Sequence, residues 1–216
     1  MLGDLQRDQG TLHGPLSAQQ SYVEARAIFS QLDVPRRVAQ LDLSPAVVSE
    51  MSGNLDLAAR QYEHLAVDDR LSPRDRARAQ LWVGTALSKE GENDYAATVM
   101  GGAIRSFESL GESEDWSVAH QKLALAHRGG GDLASATRLI EIARATGGSD
   151  SVMQQVRLST AHGHILLSDR ATADEGLTVL SQAAQLAAQY GMSHQLHSIE
   201  GIRRSFERPT AALRPG

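Results

Sequence analysis

The 216-residue chain contains no cysteine, which excludes disulfides and thiolate metal sites and leaves the redox compartment unreadable from cysteine usage. Aromatic residues make up only 4 % of it. The Val/Ile/Thr alternation of half-buried strands is missing too, which argues against sheets and for closely packed helices rich in alanine. No apolar run approaches the roughly 18 residues of a membrane span. Asp4 and Asp8 stand where a secretory signal would be apolar, so the sequence predicts a cytoplasmic protein without membrane contact. Lysine occurs only at Lys89 and Lys122 while arginine is plentiful, the bias of a GC-rich bacterial genome. A net charge of −5 and a pI near 5.9 argue against a phosphate-binding face, and hence against direct contact with nucleic acid. Catalytic spacings are lacking as well. Gly129-Gly130-Gly131 precedes no Gly-Lys-Ser/Thr and ends a helix rather than starting one, and no serine sits in a nucleophile elbow. His194-x-x-His197 puts two rings on one helical face with no third ligand nearby in sequence. The expectation is therefore a protein that is not an enzyme and holds no cofactor and no metal.

What is present is a repeat. Gly131-Asp132-Leu133-x-x-Ala136-x-x-x-Ile140-x-x-Ala143 matches Gly53-Asn54-Leu55-x-x-Ala58-x-x-x-Tyr62-x-x-Leu65 and Gly91-Glu92-Asn93-x-x-Ala96-x-x-x-Met100-x-x-Ala103. Ruder copies carry Ala18 with Tyr22 and Gly176 with Leu180. The small anchors Ala18, Ala58, Ala96, Ala136 and Gly176 stand 40, 38, 40 and 40 residues apart, the fixed period of a stacked array. The pattern reads as a helix, a Gly-polar turn and a second helix folded back on the first. Glycine supplies the left-handed cap, Asn54, Glu92 or Asp132 caps or complements the next N-terminus, and the small anchor lets two backbones approach. One such pair cannot bury its own apolar face, so neighbouring pairs must stack.

A small pair precedes each turn: Leu2-Gly3, Pro45-Ala46, Val83-Gly84, Leu123-Ala124 and Thr160-Ala161. With these the chain resembles the tetratricopeptide repeat family over nearly its whole length. It departs from that family in a period longer than about 34 residues and in lacking the helix-breaking proline at the end of each repeat, and it is most similar to the long-repeat type of bacterial regulators. The resemblance implies an all-α, right-handed superhelical solenoid of about five antiparallel helix pairs plus a C-terminal capping helix. Repeats are expected over 1–34, 35–72, 73–111, 112–149 and 150–191, the capping helix over 192–208 and a flexible tail over 209–216. Pro45 is expected to kink or split the helix of 36–51, the link after the third pair to run over 111–115, and the mid-helix pair Gly101-Gly102 to permit a close helix contact or a ligand's approach. Tyr22, Ala25, Ile28 and Phe29 are expected on one inward face of 18–32.

In the family this chain resembles, first helices line a concave surface that binds peptides, partner helices or small molecules. Carried over on the small pairs, that surface takes Gln40, Leu43, Val47 and Glu50, then Arg78, Leu81, Thr85 and Ser88. The next strips are Val118, Gln121, Leu125 and Arg128, then Gln155, Leu158, His162 and Ile165. Arg78 and Arg128 project from first helices, so the sequence reading offers them to a ligand carboxylate. The implied protein is a non-enzymatic protein- or peptide-binding module, the ligand-sensing or interaction part of a bacterial transcriptional regulator, with a small signalling molecule as a second ligand class. The short first helix adds the expectation of a DNA-binding part ahead of residue 1. The alternative is a freestanding adaptor or oligomerisation scaffold, forming a homodimer through its end repeats.

Overall fold

The computed structural model describes residues 2–146 and 151–211, with side chains as far as Glu207. The turn expected at Gly147 to Asp150 and the tail beyond Ala211 lie outside them. Eleven α-helices account for the described residues, without a strand: α1 (Leu2–Asp8), α2 (Ala18–Gln31), α3 (Pro35–Met51), α4 (Leu55–Ala66), α5 (Pro73–Glu90), α6 (Asn93–Leu110), α7 (Ser113–Gly129), α8 (Leu133–Thr146), α9 (Val152–Leu166), α10 (Ala173–Gln189) and α11 (Ser193–Ala211). No described helix is long and apolar enough to cross a membrane. Each helix packs on the one before and the one after it, giving five antiparallel pairs and a last helix. Contacts that skip a helix join α3 to α5, α5 to α7, α7 to α9 and α9 to α11, so the first helices form one layer.

The anchors sit where the repeat pattern places them. Ala18, Ala58, Ala96 and Ala136 are 0 % exposed, and the residue one turn later is buried in every repeat: Tyr22, Tyr62, Met100, Ile140 and Leu180. Full burial of a side chain of this size is worth about 1.5 to 3 kcal/mol. The small residue of the first helix faces the anchor across the pair. A Cβ on Gly84 would lie 3.0 Å from the carbonyl oxygen of Ala96, and one on Gly163 would lie 3.1 Å from that of Gly176. In α9 the close approach therefore belongs to Gly163, two residues beyond the expected Thr160-Ala161. Ala161 turns back onto Ala136 and Ala143 of the preceding pair. Among the turns, Gly91 (φ +102°) and Gly131 (φ +85°) take the left-handed conformation a side chain resists. Of the three expected caps Asp132 accepts a bond from the Ser135 N–H, whereas Asn54 and Glu92 make no side-chain cap.

Four local expectations are corrected. Helix α3 runs unbroken through Pro45, because Ala46 and Val48 just after it are buried and packing holds what the missing N–H loosens. Helix α7 starts at Ser113, which moves Asp115 from the link into its first turn. Gly102 does face Gln80 of α5, but the space beside Gly101 is open apart from Arg105. Ile28 is 56 % exposed, and with Leu2, Leu5, Leu16, Val23 and Leu32 it leaves the α1/α2 end apolar on its outside. At the other end α11 buries Ile199 and lays Leu196, Ile202 and Phe206 on the core of α9 and α10.

Gly176→Ala and Gly101→Ala separate packing from propensity. A Cβ at Gly176 would be 3.0 Å from backbone atoms of both Gly163 and Leu167. Overpacking there should cost about 1 to 3 kcal/mol, while Gly101→Ala should gain up to ~1 kcal/mol from helix propensity. Urea titration of both proteins is the check, and equal shifts in the same direction would contradict the crossing.

Candidate functional site

The layer of first helices brings together residues far apart in sequence. Glu50, at the end of α3, accepts a hydrogen bond from Tyr62 Oη at 3.0 Å and an ion pair from Lys89 Nζ of α5 at 2.6 Å. Trp82 of α5 packs on the core formed by Ala46, Ala58 and Tyr62, and Lys122 of α7 holds its Nζ 5.4 Å from the centre of that indole. Burial, followed by the repulsion of Lys89, draws the Lys122 amine down to about 8 against the opposing pull of Glu50; Arg157 of α9 pushes the same way as Lys89. Arg157 is lowered by burial and supported by Asp8 of α1. His194 of α11 is lowered by burial and then by Lys89 and Arg157. Groups on α1, α3, α5, α7, α9 and α11 therefore feel one another's charge. Contacts between successive first helices join α3, α5, α7, α9 and α11 in that order.

Of the sixteen residues expected to line this surface, Leu81, Thr85, Gln121, Leu158 and Ile165 are buried in the stack. Thr85 Oγ1 donates to the Leu81 carbonyl, and Gln121 Nε2 donates to the Arg157 carbonyl. Gln40, Leu43, Val47, Glu50, Arg78, Ser88, Val118, Leu125, Arg128 and His162 are partly buried, and Gln155 is exposed. Several of these serve the stack. Gln40 donates to Asp75, Ser88 donates to Asn93 in the turn, and His162 accepts from Arg144 of α8. The α9 strip is out of register because it was phased on Ala161. Phasing on Gly163 moves it by two residues and brings in Arg157 and His164, which the sequence reading missed.

The two arginines offered to a ligand have partners inside the protein. Arg78 Nε lies 2.8 Å from Asp115 Oδ1, and Arg74 Nε lies 2.6 Å from Oδ2 of the same carboxylate. The acid comes from the next first helix, 37 residues on, and a search limited to the arginine's own helix could not find it. Arg128 Nε donates to the His164 carbonyl and to Ser168 Oγ, tying α7 to the end of α9. Trp82, Lys89 and Lys122 were also absent from the sequence-derived surface; the concentration of both lysines on neighbouring first helices is the signal that would have found them.

No family model matches the chain, and no curated protein matches it in sequence. Among solved structures it is similar to a Podospora anserina protein described as a kinesin light chain with nearly identical TPR-like repeats. The TM-score is 0.54 at 15 % identity, over 81 % of this chain and 92 % of that one. The likeness establishes a TPR-like helical-repeat fold.

Asp115→Asn should leave Arg78 without its carboxylate and Arg74 with Glu112 alone. Since both guanidinium groups are more than a third exposed, the loss is screened to about 1 to 2 kcal/mol, measurable by chemical denaturation. No loss would show that the bridge between α5 and α7 is idle. Acid sensitivity provides a second check. Burial, then Arg128, lowers His164 from 6.5 to about 4, so the fold keeps the ring neutral while the unfolded chain binds a proton. That contribution is complete above the unfolded value and is lost as the pH falls from about 6.5 toward 4, with His120 and His162 shifted in the same direction by burial. His164→Gln should flatten the decline of the melting temperature across this window; an unaltered decline would contradict the assignment.

Proposed function

We propose that the chain is a non-enzymatic interaction module that takes a protein segment or peptide along the face of its first helices. The observation that carries this reading is the charged and aromatic set Glu50, Trp82, Lys89 and Lys122, brought together from three successive first helices by the Glu50–Lys89 ion pair and the Lys122–Trp82 contact. An extended segment lying across α3, α5, α7 and α9 would meet apolar side chains such as Leu43, Val47 and Val118 between these polar groups. A peptide array probed with the labelled full chain tests it. Sequences captured by the parent should bind Val47→Ala/Val118→Ala about tenfold more weakly, whereas Arg60→Ala and Arg138→Ala, on second helices, should bind as the parent does. Retention by the groove variant with loss in the second-helix variants would place the binding face on the other side.

Within this reading the chain is the ligand-sensing or interaction part of a cytoplasmic bacterial regulator, for which the repeat period near 40 residues and the scarcity of lysine are the support. Transcript profiling of cells lacking the gene is the test, and an unchanged transcript set would contradict it. The scaffold reading is favoured by one observation, the apolar outside of α1 and α2. It expects a dimer in sedimentation velocity that Val23→Asp/Ile28→Asp dissociates; a monomer at all concentrations would remove it.

A further inference from the structure

Helices α4 and α6 both pack on α5, and between the three lies a cavity of about 280 Å³. That is close to the ~300 Å³ at which small-molecule sites begin. Its lining includes Ala66 of α4, Arg76, Ala77 and Gln80 of α5, and Ser106 and Ser109 of α6, and no acid. With 3.6 residues per turn, Arg76, Ala77 and Gln80 share one side of α5, while Arg78, Trp82 and Lys89, which meet α7 and α3, share the opposite one. The cavity therefore belongs to the second-helix side and is separate from the groove. Arg76 Nη1 donates to the Leu71 carbonyl at 2.9 Å, which anchors the guanidinium, and no carboxylate among the described residues pairs with it. Asp68 and Asp75 are engaged elsewhere, the first with Arg70 and the second with Ser72 and Gln40. The α6 wall has the opposite character. Ser106 Oγ donates to the Gly102 carbonyl and Ser109 Oγ to the Ser106 carbonyl, so both hydroxyls use their hydrogen inside α6 and keep lone pairs for the cavity. They stand in the last two turns of α6, toward the negative end of the helix dipole. Gln80 makes no hydrogen bond among the described residues, and a Cβ on Gly102 would lie 2.6 Å from its Nε2, so the glycine leaves the amide its place beside the cavity.

We propose that this cavity binds a small zwitterion, a free α-amino acid, whose carboxylate pairs with Arg76 and whose ammonium is accepted by Ser106 and Ser109. A guanidinium without an acid and hydroxyl acceptors near a helix C-terminus together complement a ligand that carries both charges; a bare anion or a bare amine would satisfy only one of them. The Gln80 amide both donates and accepts, and so suits either group. Ala66 and Ala77 supply apolar wall for the ligand's side chain, which the volume confines to a small one. The site does not depend on the groove reading, and its failure would leave that reading untouched.

Isothermal titration calorimetry with the full chain tests the site. The probes are the standard L-amino acids taken singly, then the N-acetyl derivative and the decarboxylated amine of the one that binds, and inorganic phosphate. A small amino acid should bind the parent. Its N-acetyl derivative, its amine and phosphate should each bind about tenfold more weakly or worse, because each forfeits one charge-assisted contact. Arg76→Met should weaken the amino acid by about tenfold or more, and Ser106→Ala/Ser109→Ala should do the same. Arg60→Met, at an exposed position of α4, should change nothing. Because Arg76 also holds the Leu71 carbonyl, the serine pair, whose hydroxyls bond only within α6, keeps the test clear of a folding defect. Phosphate or the N-acetyl derivative binding as tightly as the amino acid would overturn the zwitterion assignment. Amino-acid binding that survives both variants, or no binding by any amino acid, would overturn the site itself.

Discussion

The architecture depends on helix crossings at which two backbones approach with no room for a side chain between them. Where Gly84 faces Ala96 and Gly163 faces Gly176, a single added carbon would touch a carbonyl oxygen of the partner helix. Two helices that approach this far bury the residue one turn beyond the anchor completely, as with Tyr62, Ile140 and Leu180. Dispersion contacts accumulate only at such separations. The crossing fixes how the two helices of a pair lie, and the pair then has one apolar face to give to its neighbour. Repetition of that geometry yields the solenoid, and α11 ends it by placing Ile199 on the last open core.

The stack also decides which side chains are available. Asp115 holds Arg74 and Arg78 across the α5/α7 contact, and Arg128 holds the end of α9, so these arginines act as ties between repeats. Around Trp82 the ties are the Glu50–Lys89 ion pair between α3 and α5 and the contact of Lys122 on α7 with the indole of α5.

The period and the anchors could be read directly because a small residue every forty positions is a steric requirement that leaves few alternatives. Phase within a helix was less secure. In α9 Ala161 and Gly163 are both small, and only the packing shows that the first faces α8 and the second α10. Choosing Ala161 turned the strip so that Leu158 and Ile165, which lie in the core, were counted as lining, and Arg157 was lost. Ion pairs between repeats were invisible for a different reason. The Arg78–Asp115 pair depends on how far one first helix is shifted along the next, which local spacing does not encode. Burial of Lys122 against Trp82 depends on the same shift.

Nearest-neighbour stacking through these crossings is the claim on which the rest of the account stands, and amide hydrogen exchange of the Ala136→Leu protein tests it most directly. Overpacking at the α7/α8 crossing should reduce protection in α7, α8 and the adjoining α9, while α1 to α4, which do not touch the altered pair, keep the protection of the parent. A loss spread evenly over all eleven helices, or no loss in α7 and α8, would contradict it.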